Sequence, residues 1–189
     1  MSTEMTRLRV DARENRDRIL AAAAELFAER GLDVGMRDIA RRAGVGPATL
    51  YRRFPTRQAL IDEAFSVELA ACRGIVEDAC ADPDAWRGFS TAVRRLLVAN
   101  VRNRGFVDAL VSRTPSSRIA RHRDELLGML DGVARRARAD GALRADYGIA
   151  DLVLVLSAGR GLNASRRDLL PSAADRFADL AIEGLRAHN

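Results

Sequence analysis

The stretch VGMRDIARRAGVGPATLYRRFPTRQAL, residues 34–60, limits the fold more than any other part of the chain. Two short apolar-periodic segments flank a Gly44-Val45-Gly46 elbow. On the first, Ile39, Ala40 and Ala43 face inward; on the second, Leu50 and Phe54 sit four apart and do the same. Gly44 is placed to take the left-handed conformation that turns a chain at a helix end, and Val45 is the apolar plug of the turn. Gly46 is an N-cap position, and Pro47 suits the first helical residue, where no amide is needed. Pro55 ends the second segment. A helix, a short glycine turn and a second helix at a steep angle form a helix-turn-helix. The major groove of DNA, about 12 Å wide, admits one such helix.

The outward face of the second segment carries the candidate contacts. Pro47, Ala48, Tyr51 and Arg52 point away from the core side, beside the turn residue Gly46. Thr49 and Tyr51 offer hydroxyls to phosphate oxygens, while Arg52, Arg53 and Arg57 add positive charge along the same edge. Arg37, at the start of the first segment, is the other residue able to reach a groove. Arg41 and Arg42 read equally well as a phosphate grip or as a solvated face.

Charge placement supports this reading. The chain has no lysine; residues 1–60 hold 12 Arg against 8 acids, whereas residues 61–189 hold 19 Arg against 18 acids. The positive excess lies where a polyanion would be engaged.

The remainder reads as helix, with no strand alternation and no internal repeat. A polar N-terminal dozen residues reads as a flexible arm. A first helix follows over about Glu14–Glu29, a second from Met36 to Gly44, and a third over Pro47–Phe54. Thr56 caps one long fourth helix to about Ala79, and Asp82-Pro83 opens a fifth bearing Trp86, Phe89 and Val93. A short sixth holds Phe106 and Leu110 and ends at Thr114-Pro115. The seventh runs from Ser116 to Gly141, the eighth from Asp146 to about Asn163, and the ninth from Pro171 to about Ala187. The expected architecture is all-α with about nine helices. Residues 1–58 form an arm and a three-helix DNA-binding head, and residues 59–189 form a larger helical domain for ligand binding and dimerisation.

These motifs resemble the DNA-binding domain of the TetR family of bacterial transcriptional regulators. The matching segments are ILAAAAELFAERG (19–31), MRDIA (36–40), AGV (43–45), TLYRRF (49–54) and PTRQAL (55–60). Gly46 stands where the family often has Ser, and Gly35 where Thr, Ser or Pro is common. The link from Gly31 to Met36 is a residue shorter than in many relatives. The resemblance implies phosphate contacts by Thr49, Tyr51 and Arg57, and base-facing places for Pro47, Ala48, Arg52 and Arg37. It further implies a sequence-specific regulator, by family habit a repressor, released from a palindromic operator by a small molecule.

The C-terminal two-thirds adds two expectations. The eighth and ninth helices are apolar on more than one side and rich in small residues, which calls for burial against a second copy. Leu152, Leu156 and Gly159 on one, with Ala174, Phe177, Ala181, Gly184 and Leu185 on the other, are the candidate homodimer interface. The fifth to eighth helices present Trp86, Phe89, Val93, Phe106, Leu110, Leu126, Met129, Leu130 and Val133. Each reads as core, and together they read as walls of a pocket for a small apolar or aromatic ligand. His122 and Arg160 are the polar groups that would anchor such a ligand.

Other classes find little support. No nucleophile–base set, paired carboxylates or phosphate-binding glycine loop suggests an enzyme. Two His and no zinc-type spacing argue against a metal or cofactor site. Cys72 and Cys80 lie on one predicted helix, about 12 Å apart along its axis, too far for a disulfide. No apolar run approaches the roughly 20 residues of a membrane span, and no secretory signal is visible, so the expected location is the cytoplasm. The competing reading is a helical interaction protein whose basic face has no specific operator.

Overall fold

The computed structural model describes residues 2–111, 118–159 and 170–187. Their regular structure is ten helices: α1 Ser2–Arg30, α2 Met36–Arg42, α3 Pro47–Arg53, α4 Arg57–Ala64, α5 Ser66–Ala81, α6 Ala85–Arg102, α7 Arg104–Val111, α8 Arg118–Ala139, α9 Ile149–Ala158 and α10 Leu170–Leu185. Among the described residues the only β pairing is one isolated antiparallel bridge, Leu143 to Arg186. The expected helix ends at Thr114-Pro115, Ser116 and Asn163 lie outside the described residues, as does Arg160.

Two expectations are corrected. The segment read as a flexible arm continues α1 back to Ser2. It contains neither glycine nor proline, so nothing in it stops a helix already running from residue 14 onward. The single fourth helix is two, which raises the count from nine to ten. The break falls at Phe65, whose φ of −101° and ψ of 14° lie in the bridge region between helix and strand.

Packing explains the break. The Phe65 ring is fully buried between Phe27 of α1, at 5.7 Å between centroids, and Phe106 of α7, at 5.5 Å. The backbone keeps its hydrogen bonds through the bend: Phe65 N–H donates to Ile61 O at 3.2 Å and Leu69 N–H to Phe65 O at 2.9 Å. The chain therefore changes direction at little cost in hydrogen bonding, and three aromatic rings join the front helices to the rest.

α7 seats against α1 through a glycine. A Cβ on Gly105 would stand 2.4 Å from the carbonyl oxygen of Phe27 and 2.8 Å from its Cβ. Backbone on the far side cannot yield as a side-chain tip would. Gly105→Ala is thus expected to destabilise the protein by about 1–3 kcal/mol, the range for overpacking a closed site. Urea unfolding checks this, with Gly128→Ala as the control, because a Cβ there meets nothing within 4 Å.

The larger body is built around α6, which packs on α5, α8, α9 and α10. Its residues Phe89, Val93 and Leu97 recur every fourth position and are fully buried. Helix starts are capped from the side chains. Thr56 Oγ1 accepts the Ala59 N–H at 3.1 Å, and Asp84 Oδ1 accepts that of Arg87 at 2.9 Å. α9 begins at Ile149, later than Asp146, with the Gly148 N–H donating to Asp151 at 2.8 Å.

Candidate nucleic-acid interface and the C-terminal cavity

The turn between α2 and α3 closes by backbone hydrogen bonds that only a left-handed residue permits. Gly44 has φ of +64°, Val45 N–H reaches Ala40 O at 3.0 Å, and Gly44 N–H reaches Arg41 O at 3.2 Å. Gly46 then N-caps α3 with its carbonyl, which accepts Thr49 N–H at 2.9 Å and Leu50 N–H at 3.1 Å. No side chain caps this end, consistent with glycine at that place and proline next.

Leu50 and Phe54 lock α3 against the core, at 0% and 2% exposure. The opposite face is left to solvent: Pro47, Ala48, Tyr51, Arg52 and Arg53 are exposed, and Thr49 is half-buried. Tyr51 is 49% exposed, an unusual place for an aromatic ring that has no packing duty. Positions 47, 48, 51 and 52 fall on one side of a helix by its period. Arg37 is exposed on the first turn of α2, whose Met36, Ile39 and Ala40 are buried.

The arginines divide into two sets. Arg41 pairs with Asp38 at 2.5 Å, and Arg42 pairs with Glu25 at 2.8 Å and lies 4.0 Å from Glu29. Arg37, Arg52 and Arg53 are in no ion pair among the described residues. Among the described residues the guanidinium groups of Arg37, on the first turn of α2, and of Arg52 and Arg53, on α3, are thus left uncommitted. Arg57 has partners inside the head. Its guanidinium donates to Val34 O and stands 5.8 Å from the centre of the Phe27 ring, half-buried. It fastens α4 to the loop that leads into α2, so its charge is spent inside the head as well as near the edge.

The expected pocket residues separate. Phe89, Val93, Phe106 and Val133 are sealed core, each exposed by 2% or less. Phe89 packs edge-on to Tyr147 at 5.6 Å, Phe106 belongs to the aromatic joint, and Trp86 lies under the Arg186 guanidinium at 5.6 Å. Met129 is half-buried and packs against the same core. Open space lies elsewhere: a polar groove of about 380 Å³ between α5 and α8, bordered by Arg73, His122 and Glu125, and a more apolar cavity of about 360 Å³ bounded by α6, α7, α8 and α9. Leu110 lines it, and Leu126, Leu130 and His122 line a smaller adjoining recess. Asn100, Arg123, Leu127, Val153 and Ser157 also border the cavity, and sequence reasoning missed all of them. Asn100 carried a signal: it is a polar residue at an inward position of α6, four after Leu96.

His122 is satisfied by protein partners. Its Nε2 lies 3.0 Å from Leu69 O and its Nδ1 3.3 Å from Arg73 Nη2. An Nε2–H tautomer makes both hydrogen bonds, linking α8 to α5. Arg73 also pairs with Glu125 at 2.7 Å.

Cys72 borders the same recess. Burial, with the Glu68 carboxylate adding to it, pushes its thiol up to about 11 from 9.0. That shift lowers the thiolate fraction near pH 8 about a hundredfold. Iodoacetamide is therefore expected to label the half-buried Cys80 first and native Cys72 very slowly, a difference that intact-mass time courses report.

The candidate dimer residues also divide. Leu152, Ala174 and Leu185 are buried within the chain itself, at 0%, 1% and 5% exposure, and Gly159 is buried too. They attach α9 and α10 to their own subunit. Leu156 is half-buried and lines the cavity. Phe177 and Ala181 are half-buried and Gly184 exposed. The apolar side chains that do reach solvent on these helices are Leu154 at 68%, Leu180 at 59% and Val153 at 39%. A whole-helix apolar pattern marked both faces without saying which one the chain uses for itself.

The comparisons with known proteins agree with this geometry. The family described as "Bacterial regulatory proteins, tetR family" matches residues 19–64, and "Transcriptional regulator SbtR-like, C-terminal domain" matches residues 82–187. An uncharacterised HTH-type transcriptional regulator of Mycobacterium bovis is 30% identical over 95% of both chains. A TetR transcriptional regulator of Streptomyces coelicolor is 35% identical, with a TM-score of 0.59 over 92% of this chain and 99% of that one. The FadR regulator of Bacillus subtilis, solved in complex with stearoyl-CoA, shares the fold at 16% identity, with a TM-score of 0.60 over 89% and 98% of the two chains. The chain belongs to the TetR family of helix-turn-helix transcriptional regulators.

Proposed function

We propose that the protein represses transcription in the cytoplasm as a homodimer bound to a roughly palindromic operator, and that a small molecule in the C-terminal cavity releases it. The observation that carries the DNA reading is the solvent-facing side of α3, where Tyr51, Arg52 and Arg53 are exposed and have no side-chain partner among the described residues, as is also true of Arg37 on α2. In this reading Arg52, Arg37, Pro47 and Ala48 face bases. Thr49, Tyr51 and Arg53 hold phosphates, with the Gly46 turn against the backbone. Arg57 acts chiefly by fixing the head. Residues 1–58 form the DNA-binding unit and residues 59–189 the regulatory unit, joined at Phe65.

Dimerisation through Leu154, Leu180, Phe177 and Ala181 buries the exposed apolar faces of α9 and α10. It also sets two heads at the roughly 34–36 Å spacing of consecutive major grooves. FadR's complex with stearoyl-CoA supports a ligand site in this fold. The cavity has a direct route to the head: α7 lines it with Val107 and Leu110, and meets α1 at Gly105. A ligand that favours one placement of α7 would shift the heads, provided it binds the two placements unequally.

The test is binding of the protein to its own upstream DNA and to unrelated DNA across a salt series. A specific regulator keeps a preference of about 10³ or more as both affinities fall with salt. Equal affinity for both DNAs at every salt would favour the alternative, a basic interaction surface without an operator.

A further inference from the structure

Asn100 is the one buried polar or charged residue among the described side chains, at 6% exposure. Its Oδ1 is sealed from solvent and, like Tyr147 Oη, has no hydrogen-bond partner among the described residues. A buried, unpaired amide oxygen costs about 1–3 kcal/mol, so its place on the apolar face of α6 calls for a reason. Asn100 borders both the cavity of about 360 Å³ and the recess of about 60 Å³. The two spaces share Leu110, Leu127, Leu156 and Arg123 as well, so they adjoin, and Asn100 borders both.

The charges at this site cancel. The Arg123 guanidinium lies 2.8 Å from Asp124 and donates to Leu110 O at 2.8 Å. Neither sign is left over to hold an ionic ligand. The rest of the wall is leucine and valine, with Ser157 in the cavity and Cys72 and His122 in the recess, His122 being held by Leu69 O and Arg73. Such a wall favours a neutral apolar body, and Asn100 supplies one acceptor within it.

We propose that the effector is an uncharged, largely apolar molecule bearing a hydroxyl group, and that this hydroxyl donates to Asn100 Oδ1. The proposal deepens the ligand-released reading above and rests on it. Asn100 then sets specificity, because an analogue lacking the hydroxyl leaves the amide oxygen unpaired in a largely apolar site.

The experiment uses two probes of equal shape, 2-naphthol and 2-methylnaphthalene, displacing the neutral dye N-phenyl-1-naphthylamine from the full-length protein. The methyl compound is the more hydrophobic, so without a hydrogen bond it would bind at least as well. The expected result is displacement by 2-naphthol at about tenfold lower concentration, falling toward no preference in Asn100→Leu. Leu127→Trp, which fills the shared wall, is expected to abolish dye uptake. Equal displacement by the two probes overturns the proposal. So does a preference that survives Asn100→Leu, or dye uptake unchanged in Leu127→Trp. Should Asn100→Leu fail to fold, the wild-type ratio and the Leu127→Trp result still decide. Operator affinity measured on the same samples separates the two readings. Retained specific DNA binding with equal probe displacement sinks this inference alone, and lost specific DNA binding sinks the regulator.

Discussion

Phe65→Ala is expected to lower the stability of the protein by about 3–5 kcal/mol, the range for removing a fully buried phenylalanine ring. The ring touches Phe27 and Phe106 at once, so its loss opens space between α1, α7 and the α4–α5 bend together. The surroundings cannot close that space readily, because Gly105 already brings α7 into contact with the backbone of α1. Urea unfolding followed by circular dichroism measures the loss. A change below about 1 kcal/mol would mean that the joint is loosely packed and that the aromatic contacts do not hold head to body. The variant that still folds at low temperature should also bind DNA more weakly, since the head is then less firmly placed on the body.

Arg52→Ala is expected to leave stability unchanged and to weaken operator binding by about 30-fold to 10⁴-fold. Each direct base contact contributes about 1–3 kcal/mol, and a dimer loses it at both half-sites. The side chain is exposed and makes no ion pair among the described residues, so nothing in the fold depends on it. Arg53→Ala serves as the comparison. As a phosphate contact it should weaken all DNA sequences alike and reduce the salt slope by about 1 per half-site. If Arg52→Ala behaves in the same sequence-indifferent way, its assignment to base reading is wrong.

The legibility of the chain varied with the range of the interactions that decide each feature. The α2–turn–α3 unit is written locally. Gly44 must turn the chain, Pro47 must open a helix, and Leu50 and Phe54 must face inward, so the exposed face follows by period. The Phe65 bend is not local: EAFSVELAA contains no glycine or proline, and only the rings of Phe27 and Phe106 give the break its cause. The roles of Leu152 and Leu154 show the same limit. Both are leucines in one apolar run, yet one is buried in its own subunit and the other is 68% exposed. The inward role of Arg57 depends on the Val34 carbonyl, brought close by the α1–α2 loop. The cavity borders Asn100, two turns beyond Val93 on α6, while Phe89 and Val93 are buried in the core.

The most direct measurement is selection of genomic fragments by the purified protein, its own upstream region included, with binding re-tested for the Tyr51→Phe, Arg52→Ala double variant. The account predicts recovery of a short, roughly two-fold symmetric sequence and loss of that preference in the variant. Recovery of fragments with no common sequence, bound equally by both proteins, would contradict it.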